Sequence, residues 1–335
     1  MLSAAIYGKM SVQHLDGLRS DAPAGWIDKS TWAEWLDDVK SALDIHIWPL
    51  KSGLSSTAKY PSKRIEALTR GDFDVMKVMQ FGGKTGSSLA SAALGATKIA
   101  SSEATIWQCF DRENLWGSLC AWIENKHVAT KPVGLLASYQ HAFPNGVFGS
   151  DAIDVDISAK EQQFMGDPVA RCLGSVTEIL KLEFQRPRPF QLAEELDFAD
   201  FFHWVSSSAN SPALPAGHEL QAIFVFLCSV RHFGLTGKAN IVREFAGWCA
   251  GIGDRRVYAG LHYPSDILSS QYIAATLIDK VFPQDETEHL RDMFRLYLRH
   301  STTLHQIREY QSKKNTASPF GGALTLLDES ISPKA

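Results

Sequence analysis

Apolar residues recur every three or four positions through most of this sequence, whereas the alternating patterns typical of β-strands are nearly absent. Thr31 and Glu34 have the spacing of a capping box, and the four apolar residues that follow fall on one helical face. We therefore predict an all-α protein built by helix packing. The four residues are Trp32, Leu36, Val39 and Leu43, and the further segments with this period are 158–184, 219–233, 240–258, 265–282 and 286–310.

The charge balance and the apolar runs exclude several classes of protein. The chain of 335 residues has 33 Lys+Arg and 37 Asp+Glu, a net charge of −4, whereas a protein that coats nucleic acid is normally basic. Its most apolar run, Ala222 to Val230, falls well short of the roughly 18 residues that a membrane span requires. The N-terminus has no basic region followed by a long apolar one. We expect no transmembrane segment and a cytoplasmic protein, with a processed secreted form as the open alternative.

The cysteines lie at 109, 120, 172, 228 and 249, an odd number with no CxxC pair. This pattern is not that of a disulfide scaffold or a structural zinc site. We predict reduced, buried thiols.

Three regions are expected along the chain: an N-terminal helical extension over 1–90, a catalytic helical core over 91–312 and a polar tail over 313–335. The extension has no chemistry of its own, so we expect it to complete the core, cover a pocket or build a homodimer contact. The tail contains Gly and Pro and is predicted to be poorly ordered. Residues 186–215 form a long irregular stretch between two strong helices, and such loops are commonly functional.

Chemistry-bearing residues concentrate in three segments. The first runs from Lys181 to Pro189 (KLEFQRPRP), the second is Pro215-Ala216-Gly217-His218, and the third runs from Arg256 to Asp266 (RVYAGLHYPSD). The residues of interest in them are three cations (Lys181, Arg188 and Arg256), two histidines, a glycine amide and the carboxylate of Asp266.

These residue types suit a tetrahedral oxyanion. Arginine presents forked donors to such an anion, and lysine adds a point charge. Lys181 and Arg188 are nearly two helical turns apart and share a face, although the flanking prolines place Arg188 beyond the helix end. Gly217 permits a close backbone approach, and His218 lies near the start of the next helix, where the dipole favours an anion.

The two histidines can divide the work of phosphoryl transfer. Asp266, four residues after His262, can accept the Nδ1–H of that histidine, which fixes the tautomer and leaves Nε2 for attack. His218 can then serve as general acid and afterwards as general base.

The order and spacing of the three segments resemble the signature of the type 2 phosphatidic acid phosphatase superfamily, K-x6-RP, then PSGH, then SR-x5-H-x3-D. This superfamily includes bacterial class A acid phosphatases, lipid phosphatases, glucose-6-phosphatase and vanadium-dependent haloperoxidases. The resemblance covers about residues 181 to 266 and implies a helical bundle of that type, with extra N-terminal helices here. The matching positions are Lys181, Arg188 and Pro189; Pro215, Gly217 and His218; and Arg256, His262 and Asp266.

The sequence departs from the family pattern at two serines. Ala216 replaces the serine of PSGH, which removes one hydrogen bond to a bound anion, worth about 1.5–3 kcal/mol in a buried site. Arg255 replaces the serine that precedes Arg256, and we interpret it as a helix-surface residue. Neither change removes a histidine or one of the three cations.

By resemblance, the chain is a phosphatase that needs no cofactor. His262 forms a phosphohistidine and Asp266 orients it, while His218 protonates the leaving oxygen and later activates water. Lys181, Arg188, Arg256 and the Gly217 N–H hold the phosphoryl oxygens, and the partner is a small phosphate ester, with a soluble one favoured.

Two alternatives stay open. A vanadium haloperoxidase would hold vanadate on His262 in the same pocket, and the run Lys181-Leu-Glu-Phe184 is similar to that branch. A non-catalytic oxyanion-binding protein would explain Ala216.

Overall fold

The computed structural model describes residues 21–49, 63–81, 168–195, 211–232, 239–314 and 318–332. In these ranges the chain forms helices and no strand, which confirms the all-α prediction. After a 3₁₀ turn at Lys29–Thr31, the helices are α1 (Trp32–His46), α2 (Lys63–Phe81), α3 (Pro168–Phe184), α4 (Pro189–Glu195), α5 (Gly217–His232), α6 (Ala239–Tyr258), α7 (Pro264–Val281), α8 (Gln284–Leu298), α9 (Thr302–Lys314) and α10 (Gly321–Ile331).

The centre of the bundle is formed by α5, α6 and α7. Helix α5 packs against α6, α7 and α3, and residues 222–230 of α5 are all buried. Fourteen of the 18 residues of α7 are buried as well. Because helix α7 is surrounded on nearly every side, the residues at its N-terminus lie deep in the molecule.

Helices α1 and α2 pack on this centre. The predicted apolar face of α1 is buried, and the Trp35 Nε1–H donates to Thr276 Oγ1 of α7 at 3.1 Å. Helix α2 lies against α6, α7 and α9. The N-terminal helices that the structure describes therefore share the core of the later ones.

The helix starts show where local sequence signals failed. The side chain of Thr31 does not cap α1. Its hydroxyl instead donates to the Asp28 carbonyl at 2.9 Å, a hydrogen bond within the 3₁₀ turn that precedes α1. The predicted capping box at Thr31 is therefore wrong, and residues 158–167 of the predicted helical segment 158–184 lie outside the described residues.

The segment predicted as one helix over 286–310 is two helices. The chain breaks after α8, and α9 starts at Thr302, where the Asp254 carboxylate of α6 accepts the backbone N–H groups of Thr302 and Thr303 at 2.9 and 2.8 Å. This cap from a distant helix satisfies donors that would otherwise be orphaned at a helix start.

The prediction of a poorly ordered tail after residue 313 is wrong for residues 321–331, which form α10. The apolar residues Phe320, Ala323, Leu324 and Leu327 recur at helical spacing and are buried, and α10 packs on α7 and α1. The domain boundaries near residues 90 and 312 stay a prediction.

Within the predicted irregular stretch 186–215, residues 189–195 form the short helix α4, and 196–210 lie outside the described ranges. Cys172, Cys228 and Cys249 are buried thiols outside any disulfide of the described ranges, as predicted, whereas Cys109 and Cys120 lie outside those ranges. Among the helices that the structure describes, none combines the length and the apolar character needed to cross a membrane.

Candidate active site

An extended Arg-Pro-Arg-Pro segment, residues 186–189, follows α3. The helix ends at Phe184, and Gln185 turns the chain with a φ of 46°. Each proline disfavours helical backbone at the residue before it, so Arg186 and Arg188 lie in a non-helical segment beyond the end of α3. Their guanidinium groups make different contacts, although the two residues are separated by a single proline.

Arg188 reaches the histidine predicted to be the nucleophile. Its Nη1 donates to the Leu261 carbonyl at 2.7 Å and lies 2.8 Å from His262 Nε2. Its Nε and Nη2 donate to the carbonyl and hydroxyl of Ser211, at 2.7 and 3.0 Å. Nearby, Lys181 Nζ donates to the carbonyl of Pro212. These hydrogen bonds of Arg188 and Lys181 all go to neutral groups.

A tight turn brings His262 back beside Arg256. The carbonyl of Arg256, in the last turn of α6, accepts the backbone N–H of Leu261 at 3.0 Å and that of His262 at 3.3 Å. Gly260 has a φ of 68°, a left-handed conformation that glycine adopts without strain. This turn accounts for the spacing of five residues between Arg256 and His262.

Asp266 occupies the first turn of α7. Its Oδ2 accepts the Tyr263 backbone N–H at 3.0 Å and lies 3.3 Å from His262 Nδ1. Pro264 stands at the helix start, where no N–H is needed. One carboxylate thus caps a helix and holds a histidine, and the interval of four residues between His262 and Asp266 follows from that geometry.

The two neighbours of His262 determine its tautomer. Arginine can only donate, so Nε2 accepts from Arg188 and the ring proton lies on Nδ1, directed at Asp266. The side chain of His262 is 2% exposed. The structure therefore contains a buried, neutral imidazole with its lone pair on Nε2.

Gly217 and His218 begin α5. As the first residue of a helix, Gly217 has an N–H with no partner inside the helix. A Cβ at Gly217 would lie 3.1 Å from Thr177 Cγ2, so a larger residue would press on α3. His218 is half-buried and Ala216 is buried, and the Ala216 carbonyl accepts from Ser270 Oγ at 3.0 Å.

The start of α5 is anchored by Glu219. Its carboxyl accepts from Gln271 Nε2 and from the Tyr297 hydroxyl, both at 2.9 Å, and burial raises the pKa of Glu219 to about 8. A Cβ at Gly253 would overlap the Glu219 carboxyl. The anchor fixes the position of the neighbouring His218.

The charges of the three segments act on one another. Burial, followed by the positive charges of Arg188, Lys181 and Arg256, holds the pKa of His262 well below its ordinary value. Burial holds the pKa of His218 low as well, with Arg256, His262, Lys181 and Arg188 adding to the effect. Burial and the two arginines also lower the pKa of Lys181. The structure thus brings the predicted cations and both histidines into one electrostatic neighbourhood.

On the opposite side of His262 lies a buried support that the sequence analysis missed. Arg186 Nη1 donates to Asp266 Oδ1 at 2.7 Å and to Ser265 Oγ at 2.8 Å, and its Nη2 donates to Asp72 Oδ2 at 2.8 Å. The guanidinium lies over the ring of Tyr263, with its central carbon 3.9 Å from the ring centroid. Arg186 was visible in the sequence two residues before Arg188, whereas Asp72 has no local signal.

Asp72 comes from α2 and is fully buried. Its carboxylate accepts the Ser265 N–H at 2.9 Å and the Ser265 hydroxyl at 2.6 Å. Burial raises the pKa of Asp72 to about 6, against the opposing charge of Arg186 and the hydrogen bonds from Ser265.

The comparison with protein families agrees with this geometry. A family model described as the PAP2 superfamily matches residues 169–287, which include all seven predicted site residues. Neither the comparison with curated proteins nor that with solved structures gave a match.

Proposed function

Through residues 169–287 the chain is a member of the PAP2 superfamily, and on that premise we propose that it hydrolyses a phosphate monoester through a phosphohistidine at His262. Membership indicates phosphatase-type chemistry at the level of the superfamily. One observation carries the finer proposal. His262 is buried between Asp266 at Nδ1 and Arg188 at Nε2, in the tautomer that nucleophilic attack requires.

The cations provide for the charge of the substrate. A monoester dianion taken out of water needs fixed positive charges and hydrogen-bond donors. Lys181, Arg188 and Arg256 are each at most 9% exposed, and each lowers the pKa of His262. A bound dianion would offset this mutual repulsion, which favours binding of an oxyanion over a neutral or cationic ligand.

Attack begins at His262 Nε2. The Arg188 N–H that faces this nitrogen must transfer its hydrogen bond to an oxygen of the ester, which frees the lone pair. The lone pair then forms the N–P bond as the P–O bond to the leaving group breaks. Asp266 keeps the Nδ1–H in place and stabilises the positive charge that develops on the ring.

His218 handles the protons. In the free site its pKa is well below the ordinary value, so it is mostly neutral at pH 7. The negative charge of a bound ester raises that pKa, and His218 can then protonate the leaving oxygen. In the second half of the reaction neutral His218 removes a proton from the water that attacks phosphorus, and inorganic phosphate leaves.

The same donors fit vanadate, the cofactor of the haloperoxidase alternative. Lys181, Arg188, Arg256 and the Gly217 N–H would hold its oxygens, and the neutral Nε2 of His262 is a suitable nitrogen ligand. When bound, vanadate would supply activation of peroxide for halide oxidation. In that case too, Asp266 would preserve the tautomer of His262.

An assay with two arms tests the proposed function. The purified protein is given p-nitrophenyl phosphate with and without orthovanadate, and separately orthovanadate with hydrogen peroxide and bromide. We expect ester turnover that vanadate inhibits competitively. Bromination that depends on vanadate, without ester turnover, would favour the haloperoxidase. Phosphate binding without either reaction would favour an oxyanion-binding protein.

A further inference from the structure

The buried carboxylate of Asp72 lies outside the segment that matches the family. It belongs to α2, it is 114 residues before Arg186 in the sequence, and the family match starts only at residue 169. Yet Asp72 meets the catalytic segment at the residue next to Asp266. A helix of the N-terminal region therefore contributes directly to the surroundings of the site.

Asp72 caps α7 from another helix. Its Oδ1 accepts the backbone N–H of Ser265, in the first turn of α7, at 2.9 Å. The partial positive charge of a helix N-terminus favours a carboxylate there. Because Asp266 stands in the same helical turn, this contact fixes the backbone from which the Asp266 side chain projects.

Arg186 links the two carboxylates. One nitrogen contacts Asp72 Oδ2 at 2.8 Å and the other contacts Asp266 Oδ1 at 2.7 Å, and all three side chains are fully buried. Without Asp72, the Arg186 guanidinium would have Asp266 as its carboxylate partner and would compete with His262 for it. With Asp72 present, two negative charges share one positive charge, and Asp266 Oδ2 stays available to the Nδ1–H of His262.

The Ser265 hydroxyl closes the arrangement. It donates to Asp72 Oδ2 at 2.6 Å and accepts from Arg186 Nη1 at 2.8 Å. The hydroxyl thus bridges the carboxylate and the guanidinium and fixes their relative position. A chain of contacts thus runs from α2 to the nucleophile: Asp72, then Arg186 with Ser265, then Asp266, then His262.

We propose that Asp72 is a positioning residue for His262, acting through Arg186 and Ser265 on Asp266. The kinetic part of this proposal rests on the phosphatase function proposed above; the positioning itself does not. Since groups that orient catalytic side chains commonly change activity about 10- to 100-fold, a loss of that size is expected without Asp72.

The test compares Asp72→Asn with Asp74→Asn, a control on the exposed side of the same helix whose carboxylate accepts from the Tyr310 hydroxyl. In Asp72→Asn we expect kcat for p-nitrophenyl phosphate to fall about 10- to 100-fold. KM and the affinity for vanadate should stay within about twofold, because Lys181, Arg188 and Arg256 are intact. Asp74→Asn should match the wild type in all three quantities.

A second readout does not depend on turnover. In ¹⁵N-histidine-labelled protein, the Nδ1–H resonance of His262 is identified by its loss in His262→Gln. We expect this resonance to shift or broaden in Asp72→Asn and to stay unchanged in Asp74→Asn. If the wild-type protein hydrolyses no ester, the proposed function fails. The His262 resonance still tests whether Asp72 positions His262.

Ser265→Ala is a milder variant for the case in which Asp72→Asn does not fold. It removes both hydroxyl contacts and leaves the ion pair of Arg186 with Asp72, so a smaller loss of kcat with the same shift of the resonance is expected. A folded Asp72→Asn or Ser265→Ala protein with an unchanged His262 resonance overturns the proposal. A loss of activity that only follows the fraction of folded protein also overturns it.

Discussion

Arg186 and Arg188 are separated by one proline, yet they lie on opposite sides of the same histidine. Arg186 faces the Nδ1 side, where it forms ion pairs with Asp72 and Asp266. Arg188 faces the Nε2 side, where the hydrogen bonds described above go to carbonyls, a hydroxyl and the imidazole. Arg186 is thus paired with two carboxylates, whereas in the proposed function Arg188 holds an oxygen of the bound ester.

One short segment thus contributes to both sides of His262. Paired charges on the Nδ1 side hold the ring in position and fix its proton. Cations on the Nε2 side repel one another, and after burial this repulsion contributes to the lowered pKa values of Lys181 and His262; an anion bound there would relieve it. We call these the support side and the anion side of His262.

Replacing His262 itself breaks both sides at once and should have the largest effect. His262→Ala is expected to lower kcat for p-nitrophenyl phosphate at least about 10⁴-fold, because no nucleophile remains. Vanadate should still bind through the cations, with lower affinity. Steady-state kinetics beside the exposed His289→Ala variant would check this, and full activity in His262→Ala would refute the mechanism.

His218 tests the anion side through the leaving group. His218→Asn should slow hydrolysis of an alkyl phosphate about 10²- to 10⁴-fold, because the alkoxide needs a proton as it departs. The effect on phosphorylation by p-nitrophenyl phosphate should be much smaller, since nitrophenolate leaves without one. Burst kinetics with both esters would measure the difference, and equal losses for both esters would contradict the role of His218 as general acid.

The two arginines offer the most direct way to sharpen the comparison. Arg188→Lys keeps the positive charge but loses the forked N–H donors of the guanidinium. Vanadate affinity should therefore fall roughly 10- to 150-fold, equivalent to about 1.5–3 kcal/mol. Arg186→Lys should instead lower kcat and the melting temperature while it leaves vanadate affinity nearly unchanged. Calorimetric titration and thermal unfolding of both variants would check this, and the same pattern in both would erase the distinction between the two sides.

The pH dependence should separate the free site from the occupied one. Because the pKa values of His218 and His262 are low, both imidazoles are neutral in the free site at neutral pH. The proton for the leaving group must then enter with the ester. For an alkyl phosphate, whose alkoxide needs a proton as it departs, we expect kcat/KM to fall about tenfold per pH unit above pH 7, because that proton is lost. The alkaline limb of kcat should lie at higher pH, since the bound dianion raises the pKa of His218. A kcat/KM that stays flat to pH 9 would contradict this account.

The relative positions of Arg256, His262 and Asp266 could be predicted from the sequence because the spacings between them are local. The glycine turn links Arg256 to His262, and one helical turn links His262 to Asp266. Each interval follows from backbone geometry and needs no knowledge of distant contacts. The positions of α1, α5, α6 and α7 were predictable for the same reason, whereas the break before Thr302 depends on Asp254 of another helix.

The contacts of Asp72 and Arg186 on the support side could not be predicted in this way. Asp72 is a polar residue in an ordinary helical pattern, and only the packing of α2 on α7 brings it to Ser265. Arg186 was visible in the sequence, but its direction depends on the turn at Gln185 and on the prolines that follow. The helix α10 was missed because the Gly and Pro of the C-terminal region concealed four apolar residues at helical spacing.

The covalent step itself is the most direct test of the central claim. The protein is mixed for milliseconds with a ³²P-labelled phosphate monoester, quenched in alkali, which preserves phosphohistidine, and digested for peptide mapping. We predict an acid-labile label on the peptide that contains His262, which disappears on a chase with unlabelled ester and never forms in His262→Ala. Rapid ester hydrolysis with no labelled enzyme, or a label on any other residue, would contradict the account.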